Sequence, residues 1–211
     1  VPYQSLNEIN ENIVLGNDSY VHISFQKKRN EYKNWFPEEE LTHIINVSDE
    51  KIFPEQLPND SIIYESYPIS EREKDESITS TTLFKAVERI HEIIQDDELN
   101  KVYVHCSLGV NRSPAAVILY LIKYKNMSLY DAYKFVCMKR RIFTSAEIFH
   151  IIYKEALKID KNQISPLKLR TNYAGNFCEP SAYMFALFDT MYLEKLYPNP
   201  QPNANNWWPF K

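Results

Sequence analysis

Cys106 and Arg112 lie six residues apart in the stretch His105-Cys-Ser-Leu-Gly-Val-Asn-Arg-Ser113. A thiol is a weak nucleophile unless it ionises, and a free one is mostly protonated near neutral pH. Two features of the stretch favour the thiolate. The apolar run Ala115-Ala-Val-Ile-Leu-Tyr-Leu-Ile122 that follows reads as a helix, which places Cys106 near its positive N-terminal end. The loop of Ser107, Leu108, Gly109, Val110 and Asn111 can also turn successive backbone N–H groups inward as an anion nest. Gly109 allows the backbone angles such a curl needs, and it is one of three glycines in the chain. Those N–H groups would hold the oxygens of a phosphoryl group. Arg112 would add a guanidinium fork to two of them. In-line attack by the thiolate would give a phosphocysteine, which water then cleaves. In this reading Ser113 donates its hydroxyl to the departing sulfur. His105 braces the loop by hydrogen bonds, because a base beside a thiolate already held by the nest is redundant.

Such a loop needs a strand before it and a helix after it. Residues 101–105 read as a short buried strand. Pro114 suits the first turn of a helix to about residue 124, where its missing N–H is no loss. That helix is apolar nearly all round, so it is expected to be central. Upstream, residues 8–25 read as one or two strands with a turn at Gly16-Asn17-Asp18, and 42–48 and 62–69 as two further strands. Residues 26–40 are charged, with a helix start at Pro37. Leu83, Val87, Ile90 and Ile94 recur on one face of a helix expected over 79–95. Ser128-Leu-Tyr-Asp131 and Thr144-Ser-Ala-Glu147 have capping-box form and open two more helices, to about 140 and 159. The result is an α/β class with a central sheet packed by helices.

Composition narrows the function. The chain has 211 residues, 44% hydrophobic and 25% charged, as in a globular domain. A formal net charge of −4 supplies no global attraction for nucleic acid or an anionic membrane, so neither is expected as a partner. No apolar run approaches the ~20 residues of a membrane span, and Val1-Pro-Tyr-Gln-Ser5 does not read as a signal peptide. Cys106, Cys137 and Cys178 lack metal-binding spacing, so no metal or other cofactor is expected. Three sparse cysteines point to a reducing compartment, cytoplasm or nucleus. Cys137 falls in a helix and reads as a small core residue.

The nine residues 105–113 match the HCxxGxxRS signature of the cysteine-dependent phosphatases. Val102-Tyr-Val104 before them and Pro114-Ala-Ala-Val-Ile-Leu-Tyr-Leu121 after them resemble the dual-specificity protein phosphatase branch. The resemblance runs over roughly residues 8–157, through Leu15-Gly16, Ile44-Ile-Asn-Val-Ser48 and Tyr67-Pro-Ile-Ser70. It implies a protein-tyrosine-phosphatase-like fold with a mixed sheet of about five strands. It also implies removal of phosphate from phosphotyrosine and phosphoserine/threonine of a protein substrate, without metal, in a catalytic domain taken as 1–159. The family uses an acid on the loop before the first long helix to protonate the leaving oxygen. Alignment on Pro68-Ile69-Ser70 selects Glu71, alignment on the helix selects Glu73, and residue type with distance from Cys106 selects Asp75. Asp75 is preferred, with Glu71 second. The family's Arg-Pro and Pro-Asn pairs after the loop read here Arg140-Arg141 and Ser145-Ala146, so the loop must be braced differently. Arg140 and Arg141 suit either an anionic group near the pocket or a helix C-terminus.

The alternatives are a catalytically weak phosphoprotein-binding module, or an RNA 5′-phosphatase or phosphoinositide phosphatase of the same superfamily. The last two favour basic loops, and positions 107, 108, 110 and 111 carry no Lys or Arg. Residues 160–211 form an extension with an aromatic helix expected over 181–196 and a Pro/Asn-rich tail, suited to docking or homodimer contact.

Overall fold

The computed structural model describes residues 6–19, 21, 41–50 and 61–159. The expectations for 22–40 and for 160–211, including Cys178, the aromatic helix and the tail, lie outside these residues. In chain order the described elements are β1 (Leu6–Glu8), β2 (Ile13–Asn17), β3 (His43–Asn46), β4 (Ile63–Ser66), α1 (Glu76–Asp96), β5 (Val102–Cys106), α2 (Arg112–Tyr124), α3 (Leu129–Lys139) and α4 (Ala146–Ile159). The sheet order is β1-β2-β5-β3-β4. β1 runs antiparallel to β2, and the remaining pairs are parallel. This is the mixed five-stranded α/β sheet expected from the sequence.

The strands alternate faces with the period of two that a pleated strand imposes. Ile13, Leu15, Ile45, Val47, Val102, Val104 and Cys106 join one large core with the buried faces of all four helices. Val14, Ile44 and Tyr103 point to a smaller cluster on the other face, with Leu41 and Ile62. The central β5, flanked by β2 and β3, is wholly buried. Helix α2 packs over it and is buried from Arg112 to Ile122, which is why its sequence is apolar all round. In α1 the predicted stripe of Leu83, Val87, Ile90 and Ile94 is the buried face.

Three boundaries differ from the sequence expectation. β2 continues through Gly16 and Asn17, which pair with His105 and Cys106, so the turn begins only at Asp18. α1 starts at Glu76, three residues early, because Asp75 caps it: its carboxylate accepts from Ser77 N at 2.8 Å and Ser77 Oγ at 2.6 Å. At α4, Thr144 does not cap. It is buried and its hydroxyl is 3.0 Å from Tyr133 Oη. Ser145 takes the role, its Oγ accepting from Ile148 N at 3.4 Å. Ser128 caps α3 as expected, accepting from Asp131 N at 3.0 Å.

Candidate active site

Parallel strands carry β2, β5 and β3 to a shared edge at their C-terminal ends, where α/β sheets commonly bind ligands. Cys106 ends β5 there, and residues 107–111 lead directly into α2. The carbonyls of this loop are held from outside, one after another. Ser107 O accepts from Asp18 N at 3.3 Å and Val110 O from Phe143 N at 2.8 Å. Leu108 O and Gly109 O accept from Arg140, from Nη2 at 3.2 Å and from Nε at 2.7 Å. In a planar trans peptide the C=O of one residue and the N–H of the next point in opposite directions, and no peptide bond among the described residues is cis. The N–H groups of Leu108, Gly109, Val110 and Asn111 therefore face the inside of the curl. Asn111 leaves the N-terminus of α2 without a side-chain cap, its Oδ1 being engaged by Ser145 N at 2.9 Å. This arrangement is compatible with the anion nest expected from the sequence.

Gly109 is needed twice over. Its φ is +66°, and a Cβ there would lie 2.4 Å from Gly16 O and 2.6 Å from Arg140 Nη2. Arg140 is itself buried, and its third nitrogen, Nη1, donates to Asn7 Oδ1 at 2.8 Å. It ties the loop to β1. This is the different bracing that the sequence demanded: an arginine fork on the carbonyls and the 143–145 segment against 110 and 111.

Cys106 is buried, with Ser113 Oγ 3.2 Å from its sulfur. The same hydroxyl is 3.3 Å from Gly16 O, so its one proton serves either the sulfur or the strand. His105 points to the other face of the sheet and stacks on Tyr103, with ring centroids 5.5 Å apart. Its carbonyl accepts from Val47 N at 2.9 Å, so its bracing runs through the backbone and ring packing.

Arg112 is buried and held from several sides. Nη1 donates to Ile69 O at 2.7 Å and to Asp49 Oδ1 at 3.1 Å. Nη2 donates to Ser107 Oγ at 3.0 Å and lies 3.1 Å from Glu71 Oε1. Its Nε–H, also buried, has no hydrogen-bond partner among the described residues. An orphaned buried donor costs about 1–3 kcal/mol, and a phosphoryl oxygen is an acceptor of the right charge to satisfy it.

The three carboxylates considered for proton donation occupy different posts. Asp75 is tied up as the cap of α1, and hydrogen bonds from the Ser77 hydroxyl and backbone hold its carboxyl below the usual range. That is the charged form, the wrong one for a donor. Glu73 Oε1 accepts from Asp75 N at 2.9 Å, within its own loop. Glu71 alone of the three has a contact with Arg112 among the described ion pairs. Asp49 and Asp18 were not found by sequence. Burial works against the charge of Asp49, but the Ser70 hydroxyl, its own backbone and Arg112 outweigh it and hold its carboxyl low. Burial, a hydrogen bond with Glu50 and the charge of Glu50 push Asp18 up to about 7. Neither stands near Cys106 in sequence, so no local pattern marks them. Among the described residues no three His, Cys, Asp or Glu side chains gather as a metal site. Burial pushes the Cys137 thiol up to about 12, consistent with an inert packed residue.

A strand–loop–helix with a cysteine at its start and an arginine at its end is the arrangement of the cysteine-dependent protein tyrosine phosphatase superfamily. Residues 24–156 match the family model of the dual specificity phosphatase catalytic domain, and the chain belongs to that family. Protein 123R of Invertebrate iridescent virus 6, provisionally named a tyrosine phosphatase, is 40% identical over 65 residues, 30% of this chain and 46% of its own. Dual specificity protein phosphatase 13B of Mus musculus is 28% identical over 106 residues, 48% of this chain and 52% of its own. The chain thus spans about half the length of these relatives. The solved structure of PTPMT1 in complex with PI(5)P superposes with a TM-score of 0.57 at 17% identity, covering 75% of this chain and 99% of that one. It shares the fold.

Proposed function

We propose that the chain hydrolyses phosphotyrosine and phosphoserine/threonine in proteins through a phosphocysteine on Cys106. The observation that carries this is the run of four loop carbonyls, 107 to 110, each hydrogen-bonded to a residue outside the loop, which leaves the next four N–H groups for an anion beside Cys106. A phosphate monoester dianion docks in the nest, and Arg112 turns its fork and its orphaned Nε–H to the equatorial oxygens. The Cys106 thiolate attacks phosphorus as the P–O bond to the leaving group breaks.

Glu71 is assigned as the acid. Its carboxylate lies 3.1 Å from Arg112 Nη2. The incoming dianion takes its place on the guanidinium, which leaves the Glu71 carboxyl free to face the leaving oxygen. Glu71 then gives its proton to the leaving oxygen. In the second step it takes a proton from water, which attacks phosphorus and frees inorganic phosphate. Ser113 donates to the sulfur as the S–P bond breaks. A sulfur nucleophile is kept usable by a reducing compartment, which fits a cytoplasmic or nuclear setting.

The PI(5)P held by PTPMT1 raises a phosphoinositide as substrate. The carboxylates of Asp49 and Glu71 at the mouth of this site disfavour a polyanionic headgroup and support a protein substrate. The test is turnover of a small aryl phosphate by the wild type and by Cys106→Ser. The wild type is expected to release phenol and the variant to release none. A folded wild type without turnover would make the chain a phosphoprotein-binding module instead.

A further inference from the structure

Among the described residues a few large apolar side chains are exposed, and two of them sit at the phosphate loop. Leu108, 61% exposed, is two residues beyond the nucleophile. Phe143, 65% exposed, has its N–H on Val110 O. Neither is a loose surface residue. The Leu108 carbonyl is fixed by Arg140, and Phe143 by its 2.8 Å bond to the loop. Both side chains are therefore exposed on backbone that is hydrogen-bonded at the phosphate loop. The Arg112 end of the loop is different. It carries Asp49 and Glu71 on the guanidinium, and Asp18 with Glu50 beside Ser107.

We propose that Leu108 and Phe143 form an apolar shelf that binds a large apolar side chain flanking the phosphorylated residue of a protein substrate. The inference rests on the phosphatase reading and deepens it to a substrate class. Water is shed from both partners when a flanking Leu or Phe covers the shelf, and such burial is favourable and non-directional. The charge on the other side decides the kind of partner. The carboxylates of Asp49 and Glu71, with the Asp18–Glu50 pair beside them, disfavour an anionic lipid surface, whereas a peptide brings a single phosphate and few further anions.

Binding can be measured apart from catalysis. Phosphotyrosine peptides differing only in the flanking residue, Leu or Ala, are titrated by fluorescence anisotropy into Cys106→Ser and into Cys106→Ser/Phe143→Ser. Thermal melts check that both variants are folded. The Cys106→Ser chain is expected to prefer the Leu peptide by about tenfold, the scale of one buried apolar side chain, and the double variant to lose that preference to within twofold. Equal affinity for the two peptides in Cys106→Ser would overturn the shelf, as would a preference that survives Phe143→Ser. Tighter binding to phosphatidylcholine vesicles carrying phosphatidylinositol 5-phosphate than to either peptide would also overturn it, in favour of a lipid. Failure of the phosphatase reading is seen separately, as absence of aryl phosphate turnover by the wild type.

Discussion

Glu71 and Asp75 are four residues apart on one acidic loop, yet their surroundings give them opposite tasks. Asp75 accepts hydrogen bonds that favour its charged form, and it holds the start of α1. Glu71 lies on Arg112, the group proposed to hold the phosphate. Glu71→Gln is expected to lower kcat on an alkyl or phenyl phosphate by about 100-fold or more, within the usual worth of general acid catalysis. It should also flatten the basic side of the kcat/KM profile. Asp75→Asn should keep kcat within about threefold, because Asn caps a helix as well as Asp does, while Asp75→Ala should lower the melting temperature. Steady-state kinetics and a thermal melt of the three variants decide the matter. A collapse of kcat in Asp75→Asn with Glu71→Gln unimpaired would reverse the assignment. The grouping of Cys106, Arg112 and Ser113 was legible because one local curl contains them. Which carboxylate lies on Arg112 was not, since three carboxylates within five residues differ only in what the folded chain places beside them.

At the scale of elements, the loop depends on Arg140, 34 residues beyond Cys106 and immediately after α3. Its guanidinium bonds two loop carbonyls and Asn7, so its removal strands buried acceptors. Arg140→Ala is expected to cost about 2–4 kcal/mol in urea denaturation, from charge-assisted bonds lost and carbonyls left unpaired. It should also weaken binding of vanadate or phosphate at least tenfold. Arg140→Lys should recover only part of this, since an ammonium cannot span both carbonyls as a fork. Vanadate affinity unchanged in Arg140→Ala would show that the curl holds itself. The sequence announced α1 and α2 through their apolar patterns, and α3 through Ser128. It misplaced the cap of α4 because the Thr144 hydroxyl is claimed by Tyr133, eleven residues earlier, a contact that exists only after α3 and α4 pack. The role of Arg140 was hidden for the same reason. An arginine after a helix reads as a C-terminal cap until the tertiary fold sets the phosphate loop against it.

Across the whole molecule the carboxyl groups near the loop make stability depend on pH. Asp18, half-buried beside Glu50, titrates near 7 in the folded chain but near 4 when unfolded. Between those values the folded chain holds the proton more tightly, so this contribution is complete below about pH 4 and is lost as pH rises to 7. Solvent around the pair weakens the effect, so only its sign is predicted. Urea midpoints at pH 5 and pH 8 should differ less in Asp18→Asn than in the wild type. A wild-type midpoint that rises over this interval in step with the variant would contradict it. The fold class was legible because a five-stranded sheet with one dominant helical face leaves a simple apolar record. The acidic group at its mouth was not, since Asp18, the neighbours Asp49 and Glu50, and Glu71 come from three different connections, after β2, β3 and β4, that meet only at the edge of the sheet.

The central claim is a covalent phosphate on Cys106, and trapping that species tests it most directly. Wild-type protein mixed with an aryl phosphate and quenched in acid within the first turnovers should show, by peptide mass spectrometry, one phosphate on the peptide containing Cys106. Phenol should be released in a burst that matches the amount of enzyme, and Cys106→Ser should show neither. Steady turnover by Cys106→Ser, or wild-type turnover with phosphate found on another residue, would contradict the account.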